Sequence, residues 1–257
     1  MHAARASRRR LLGAFSLVEL IVSISIMAVL LSILAPALSA ARLSALATIS
    51  LSDMHSIAVP FDNYTSNNSG RYPIHDPAKG IPSTPGGPPL RWVGSVWASS
   101  YLWPTLIEDE APWREYFKTW LSPGSRQRRS ATPWITRNGN TTGTVIPVYR
   151  YSNSFLASPQ VWETLQVKVT PASMKIGARA NFEVAFPAKK ALLFDAVVGY
   201  RRDRGVPMDR RGVLAVDGSA VIRKDSQARP AVQNRMIPSA SPQRYHDTKL
   251  GVHGWDW

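Results

Sequence analysis

Arg8 to Arg42 reads RRRLLGAFSLVELIVSISIMAVLLSILAPALSAAR: three arginines, a short hinge, then an apolar run closed by a fourth arginine. A helix crosses a bilayer in roughly 20 apolar residues, and this run is long enough. Glu19 interrupts it near the basic end, four residues after Phe15. An ionisable group inside a membrane segment costs about 2.5–3.5 kcal/mol at the centre. A plain anchor or a cleaved signal has no use for it.

Two export readings fit parts of the segment. A Sec signal finds small residues for cleavage at Ala35-Pro-Ala37 or Ser39-Ala-Ala41, and Ser7-Arg-Arg-Arg-Leu-Leu12 looks like a twin-arginine motif. Both would make the rest an exported soluble protein or enzyme. Against both, a signal's apolar core takes about 7–15 residues, and neither explains Glu19.

Gly13-Ala-Phe-Ser-Leu-Val-Glu-Leu20 supports a third reading. It resembles the processing site of type IV pilins and type II secretion pseudopilins. That family has a short basic leader, a small residue at the cut, and Phe-Ser/Thr-Leu-Val/Ile-Glu-Leu opening an apolar helix. The resemblance implies cleavage between Ala14 and Phe15 by a prepilin peptidase and N-methylation of the new Phe15 amine. It also implies a role for Glu19 in assembly with other pilin-like subunits. The family usually has Gly before the cut; here Ala14 holds that place and Gly13 precedes it. Pro36 matches a helix proline of the family, where a proline removes one backbone hydrogen bond and favours a kink.

Working outward, residues 1–14 carry basic side chains and no acid. The positive-inside rule keeps such a leader in the cytoplasm and exports the rest. The expected product is a single-pass protein of the cytoplasmic (inner) membrane with its head outside. Residues 15–41 are the transmembrane helix, in which Ser23, Ser25, Ser32 and Ser39 offer small surfaces to neighbouring helices. From 42 to 70 the helix continues as an amphipathic one. Leu43, Leu46, Ala47, Leu51, Met54, Ile57, Ala58 and Phe61 recur at helical steps, with Asp53, His55 and Asp62 on other faces. Pro60 is expected to bend or end it, and Asn63–Gly70 is turn chemistry. The stretch up to Gly70-Arg-Tyr-Pro73 also resembles large pilin-like proteins of planctomycete-type bacteria.

Residues 71–227 form the expected head. Residues 73–89 are loop by their prolines and glycines, and His75 and Asp76 there read as a solvated pair. Residues 91–120 hold five tryptophans: Trp92, Trp97, Trp103, Trp113 and Trp120. Carbohydrate or partner binding is one reading; a core covering is favoured, since aromatics dominate core burial. Short helices are expected at 99–107 and 111–121, and a basic mobile loop at 122–143. Strands are expected at 145–153, 162–169 and 189–195, and in a hairpin at 213–222 turning on Asp217-Gly218 as a two-residue type I′ turn. That hairpin resembles the end domain of planctomycete-type pilin-like proteins, which carry a His ten residues before an Asp-Gly. Pro207 stands at the His position here and Ser219 replaces the following His, so the likeness extends to the strands and to no histidine site. Residues 228–257 read as a flexible tail, extended or partly ordered.

Composition bounds the chemistry. With no cysteine, disulfides, zinc–thiolate sites and cysteine nucleophiles are excluded. The formal charge is +14; Arg5, Arg8, Arg9 and Arg10 lie in the leader, so the processed chain keeps +10. Arg201, Arg202, Arg204, Arg210 and Arg211 crowd one segment, with Lys189 and Lys190 before it and Arg223 and Lys224 after. Anionic headgroups or wall polymers are the favoured partners of that face and nucleic acid the weaker alternative. No phosphate loop, Gly-x-Ser-x-Gly elbow or His-Glu-x-x-His helix occurs. His246, His253, Asp247 and Asp256 lie at a spacing that no standard metal motif explains. No catalytic residue, metal or cofactor is expected. The sequence therefore predicts an α+β protein: a long N-terminal helix packed by its outer half on a small antiparallel sheet, in a pilin-like arrangement.

Overall fold

Helix α1 runs from Leu17 to Asn67, 51 residues or about 75 Å at 1.5 Å per residue. The structure is a computed structural model that describes residues 16–79, 95–124, 128, 147–196, 198–202 and 205–257. The chain divides into two units, Met1–Ser44 and Ala45–Trp257. In the first, the apolar side chains of α1 stand in the open: Leu17 is 74% exposed, Ile33 69% and Leu38 65%. This helix is long and apolar enough to cross a membrane. Its serines suit that setting. Ser23 Oγ donates to the Glu19 carbonyl (2.7 Å), Ser25 Oγ to Ile21 (2.8 Å) and Ser32 Oγ to Val29 (2.7 Å). Each hydroxyl proton is thus satisfied within its own helix, as hydrocarbon surroundings demand.

In the second unit, α1 carries the expected apolar stripe. Leu46, Met54, Ile57, Ala58 and Phe61 are buried, and burying such large side chains is worth roughly 1.5–3 kcal/mol each. Two expectations are corrected here. Pro60 neither ends nor interrupts the assigned helix, which continues to Asn67. Its missing N–H removes one hydrogen bond, while Ile57, Ala58 and Phe61 hold the same stretch in the core. The helix stops where Ser69 turns left-handed (φ 54°) and Gly70 N–H reaches back to the Thr65 carbonyl at 2.7 Å, the six-to-one bond of a Schellman end. Asp53 is not on an open face but buried, and both its oxygens accept from the Arg128 guanidinium. The basic 122–143 segment thus lends one of its arginines to the helix.

The sheet has four antiparallel strands in chain order: β1 (Tyr149–Tyr151), β2 (Ala191–Asp195), β3 (Arg210–Ala215) and β4 (Ala220–Lys224). Tyr151 pairs with Leu193, Leu193 with Leu214, and Phe194 with Val213. Alternation sorts the side chains. Tyr149, Tyr151, Leu193 and Leu214 join the core with Met54, Ile57 and Phe61, and Tyr149 Oη meets Ser50 Oγ at 3.0 Å. Gly212 lies on this helix side as well; a Cβ there would sit 2.9 Å from Met54 Cε. Phe194 and Val213 face the other way, into a second cluster with Ala228 and Tyr245.

The β3–β4 hairpin is present, but its turn is longer than a two-residue type I′. Ala215 N–H donates to the Ser219 carbonyl (2.8 Å) and Gly218 N–H to Ala215 (3.1 Å). Three residues are enclosed, with Gly218 left-handed at φ 82°, the three-residue loop that puts glycine at the bulge. The alternating 162–169 segment is not a strand. Trp162 closes a 3-10 turn, and Leu165 and Val167 are 73% and 44% exposed. Periodicity alone gave that segment no partner strand. Helices α2 (Ser99–Leu106), α3 (Trp113–Tyr116) and α4 (Gly199–Arg202) are short. Trp103 and Trp120 are core residues, as the favoured reading of the aromatic segment expected.

The largest correction concerns 228–257. Tyr245, Asp247, Thr248, Val252 and Asp256 are buried, and Tyr245 covers Phe194 on the second sheet face. What reads as a polar tail closes the core from that side. Its backbone is tied to the rest of the head where Asp256 N–H donates to the Lys189 carbonyl (2.8 Å), Leu250 N–H to Trp162 (3.2 Å) and Arg235 N–H to Val161 (3.3 Å). It is tied to itself where Val232 N–H donates to Asp247 and Arg229 N–H to Asp256.

Candidate functional site

The sequence places its functional residues at the start of α1. Ala14 and Phe15 lie outside the described residues. Glu19 is described, exposed and already in use. Ser16 N–H donates to Glu19 Oε2 at 2.9 Å, and Glu19 N–H donates to Ser16 Oγ at 3.1 Å. This is a capping box: Ser16 precedes the first helical residue, and each side chain satisfies a backbone donor that the helix itself leaves open. Ser-x-x-Glu ahead of an apolar run is the local sequence signature of that box.

In the head, the structure assembles groups that are distant in sequence. Lys190, read as part of the basic face, is fully buried. Its Nζ donates to Ser154 Oγ (3.0 Å) and Thr248 Oγ1 (2.5 Å) and pairs with Asp256 Oδ2 (3.3 Å). Asp256 also accepts from Ala191 N–H at 2.8 Å and from Thr248 Oγ1 at 2.5 Å. Burial pushes the lysine's pKa down, and Asp256 opposes that shift. Three partners around one ammonium use all its donors, so this cluster is a clamp between β2 and the C-terminal segment.

The histidines and aspartates of the C-terminal segment are divided between different tasks. His253 is exposed, Asp256 serves the clamp, His246 is half-buried and Asp247 is buried. No group of three or more potential ligands that could hold a metal occurs among the described residues. His246 Nδ1 accepts from Asn153 N–H at 2.9 Å, so its proton resides on Nε2, which faces Ser100 Oγ at 3.3 Å. Burial and the charges of Arg150 and Lys190 push its pKa down to about 3. Burial pushes neighbouring Asp247 up to about 6. His75 is buried rather than solvated, its N–H bonded to Ser99 Oγ at 2.8 Å.

Beside His246 opens a cavity of about 460 Å³, with Trp97, Ser100, Tyr101, Arg150 and Asn153 on its wall. Alternation along β1 explains the arginine: Tyr149 and Tyr151 enter the core, so Arg150 emerges on the opposite side, its guanidinium 4.9 Å from the Tyr101 ring centre. No single motif could have shown this site, because it draws on α2, β1 and the C-terminal segment.

The basic segment is largely spoken for. Arg211 grips Asp225 with two bonds of 2.6 Å, and Arg201 pairs with Asp209 at 3.2 Å. Arg223 stacks over Trp257 and Arg229 over Trp255. No family model, curated protein or solved structure matches the chain.

Proposed function

We propose that this chain is a structural pilin-like or pseudopilin-like subunit of a type II secretion or type IV pilus-type assembly. A prepilin peptidase cuts it after Ala14 and methylates Phe15. The observation that carries this reading is the exposed apolar face of α1 from Leu17 to Leu38, opened by a capped Ser16-Leu-Val-Glu19 directly after a basic leader. Apolar surface of that extent requires lipid or neighbouring helices to cover it. In this reading the chain sits once in the inner membrane, leader inside and head outside, and the same helix faces serve lipid before assembly and sister subunits after it.

The head supports a structural role through its clamps and stacked aromatics. For its basic face, anionic headgroups or wall polymers are favoured over nucleic acid, because charge alone carries only non-specific attraction. That charge is also reduced: Arg201 and Arg211 already hold carboxylates and Lys190 is buried. DNA binding would fall steeply with salt through counterion release; a gel-shift at low salt with the full chain in detergent should show none.

Co-expression with a prepilin peptidase tests the processing step. Ala14→Gly is cut at least as well as the wild type, and Ala14→Trp is blocked. Normal cutting of Ala14→Trp would place the site elsewhere.

A further inference from the structure

We propose that Lys190 and Asp256 condense into an amide bond, an internal covalent link between the start of β2 and the C-terminal segment. Their ion pair is the reactant, and the link is independent of how the chain assembles. Nζ stands 3.3 Å from Asp256 Oδ2, whereas a charge-assisted N–H···O bond closes to about 2.7–2.9 Å. A buried ion pair offsets its desolvation only with excellent geometry. Here the nitrogen lies against the carboxyl group without that short bond.

Second, the site is dry. Lys190 is 0% exposed and Asp256 3%, and the Phe155 ring centre is 5.9 Å from Nζ. In water an amine and a carboxylic acid ionise and do not condense. Here burial pushes the lysine's pKa down, which favours the uncharged amine that can attack. Holding both groups in one place supplies effective molarities that reach about 10⁵–10⁸ M in well-oriented pairs.

Third, the carboxyl group is held as an electrophile. Asp256 Oδ2 accepts from Ala191 N–H at 2.8 Å and Oδ1 from Thr248 Oγ1 at 2.5 Å. Donors fixed on both oxygens stabilise the negative charge that develops as nitrogen adds to the carbon.

Fourth, one hydroxyl joins the two reacting groups. Thr248 Oγ1 accepts from Lys190 Nζ and donates to Asp256 Oδ1. It is placed to carry protons from the nitrogen to the departing oxygen. Of the ammonium's three protons, one stays on the amide nitrogen and two leave with Oδ1 as water. Oδ2 remains as the amide oxygen. The N–C bond forms, the C–Oδ1 bond breaks, and no outside reagent is consumed. In a chain without cysteine, such a bond does what a disulfide cannot, fastening residues 228–257 over the second sheet face.

The test is peptide mass spectrometry of the full chain, purified in detergent and digested with trypsin. Asp256 lies in the terminal peptide 250–257, and Lys190 opens the peptide 190–201. The wild type should yield the two joined, one water lighter than their sum, with fragmentation placing the link at Asp256. Lys190→Arg and Asp256→Ala should each release peptide 250–257 free. After pulse-labelled synthesis, Thr248→Val should link at least about a hundredfold more slowly than wild type, the scale of a lost proton transfer. Thr248→Ser, which keeps the hydroxyl, should link near the wild-type rate. Free peptide 250–257 as the main form in the wild type overturns the proposal, whether or not any variant folds. A joined peptide in Asp256→Ala, or Thr248→Val linking as fast as wild type, overturns it too.

Discussion

Ser16 and Glu19 exchange hydrogen bonds at the first turn of α1, 2.9 Å one way and 3.1 Å the other. Glu19 thus has local work before any subunit meets another. The proposed assembly role adds a second task, pairing its charge with the amine freed at Phe15. Glutamine separates the two tasks, because it still closes a capping box and carries no charge. Glu19→Gln should insert normally and cross-link into complexes less than wild type. Ser16→Ala, which loses the cap at a cost of about 1 kcal/mol and keeps the charge, should assemble better than Glu19→Ala. Wild-type cross-linking of Glu19→Gln would reduce Glu19 to a cap.

The Lys190–Asp256 pair should dominate the stability of the head. Lys190→Met leaves Asp256 buried without its cation, a loss of about 3–5 kcal/mol for a buried pair. Removing Asp256 as well should recover part of that. Urea unfolding of both variants measures it. A single variant within 1 kcal/mol of wild type would show the clamp to be dispensable.

His246 and Asp247 set opposing pH dependences. The histidine falls from 6.5 to about 3 on folding, so the unfolded chain gains a proton first and stability is lost as pH drops from 6.5 toward 3. The aspartate rises from 3.8 to about 6, so the folded chain keeps its proton longer and stability is lost as pH climbs from 3.8 through 6. Between those two values the terms oppose, each near 1.4 kcal/mol per pH unit at most. His246→Gln should therefore lose stability as pH rises from 4 to 6, and Asp247→Asn should lose it as pH falls over the same interval. Urea midpoints at pH 4, 5 and 6 decide; parallel profiles for the two variants would contradict the assignment.

Gly212 allows α1 to approach β3. Alanine there brings Cβ to 2.9 Å from Met54 Cε, the movable end of a flexible side chain. Gly212→Ala should cost about 1 kcal/mol and Gly212→Val about 2–3, by overpacking. Met54→Ala should partly rescue the valine variant in thermal melts, and a valine variant as stable as wild type would refute the close approach.

What the sequence disclosed follows from local regularity. The apolar run, the stripe from Leu46 to Phe61 and the hairpin about Gly218 all declare themselves within a few residues. Lys190, Asp53 and the C-terminal segment do not. A buried lysine looks like any surface lysine until Ser154, Thr248 and Asp256 are brought around it. Asp53 is identified as buried by Arg128, 75 residues away. Residues 228–257 lack periodicity because they cover an existing sheet face one side chain at a time, with Tyr245 over Phe194 and Asp256 under Lys190. The capping box was the exception: it was local, and it was overshadowed by the membrane cost of its glutamate.

The mature N-terminus tests the central claim most directly. Intact-mass and N-terminal peptide spectrometry of the chain, from cells with a prepilin peptidase, should show a start at Phe15 bearing one N-methyl group. A start at Leu38 or Arg42, or a chain that keeps residues 1–14, would contradict it.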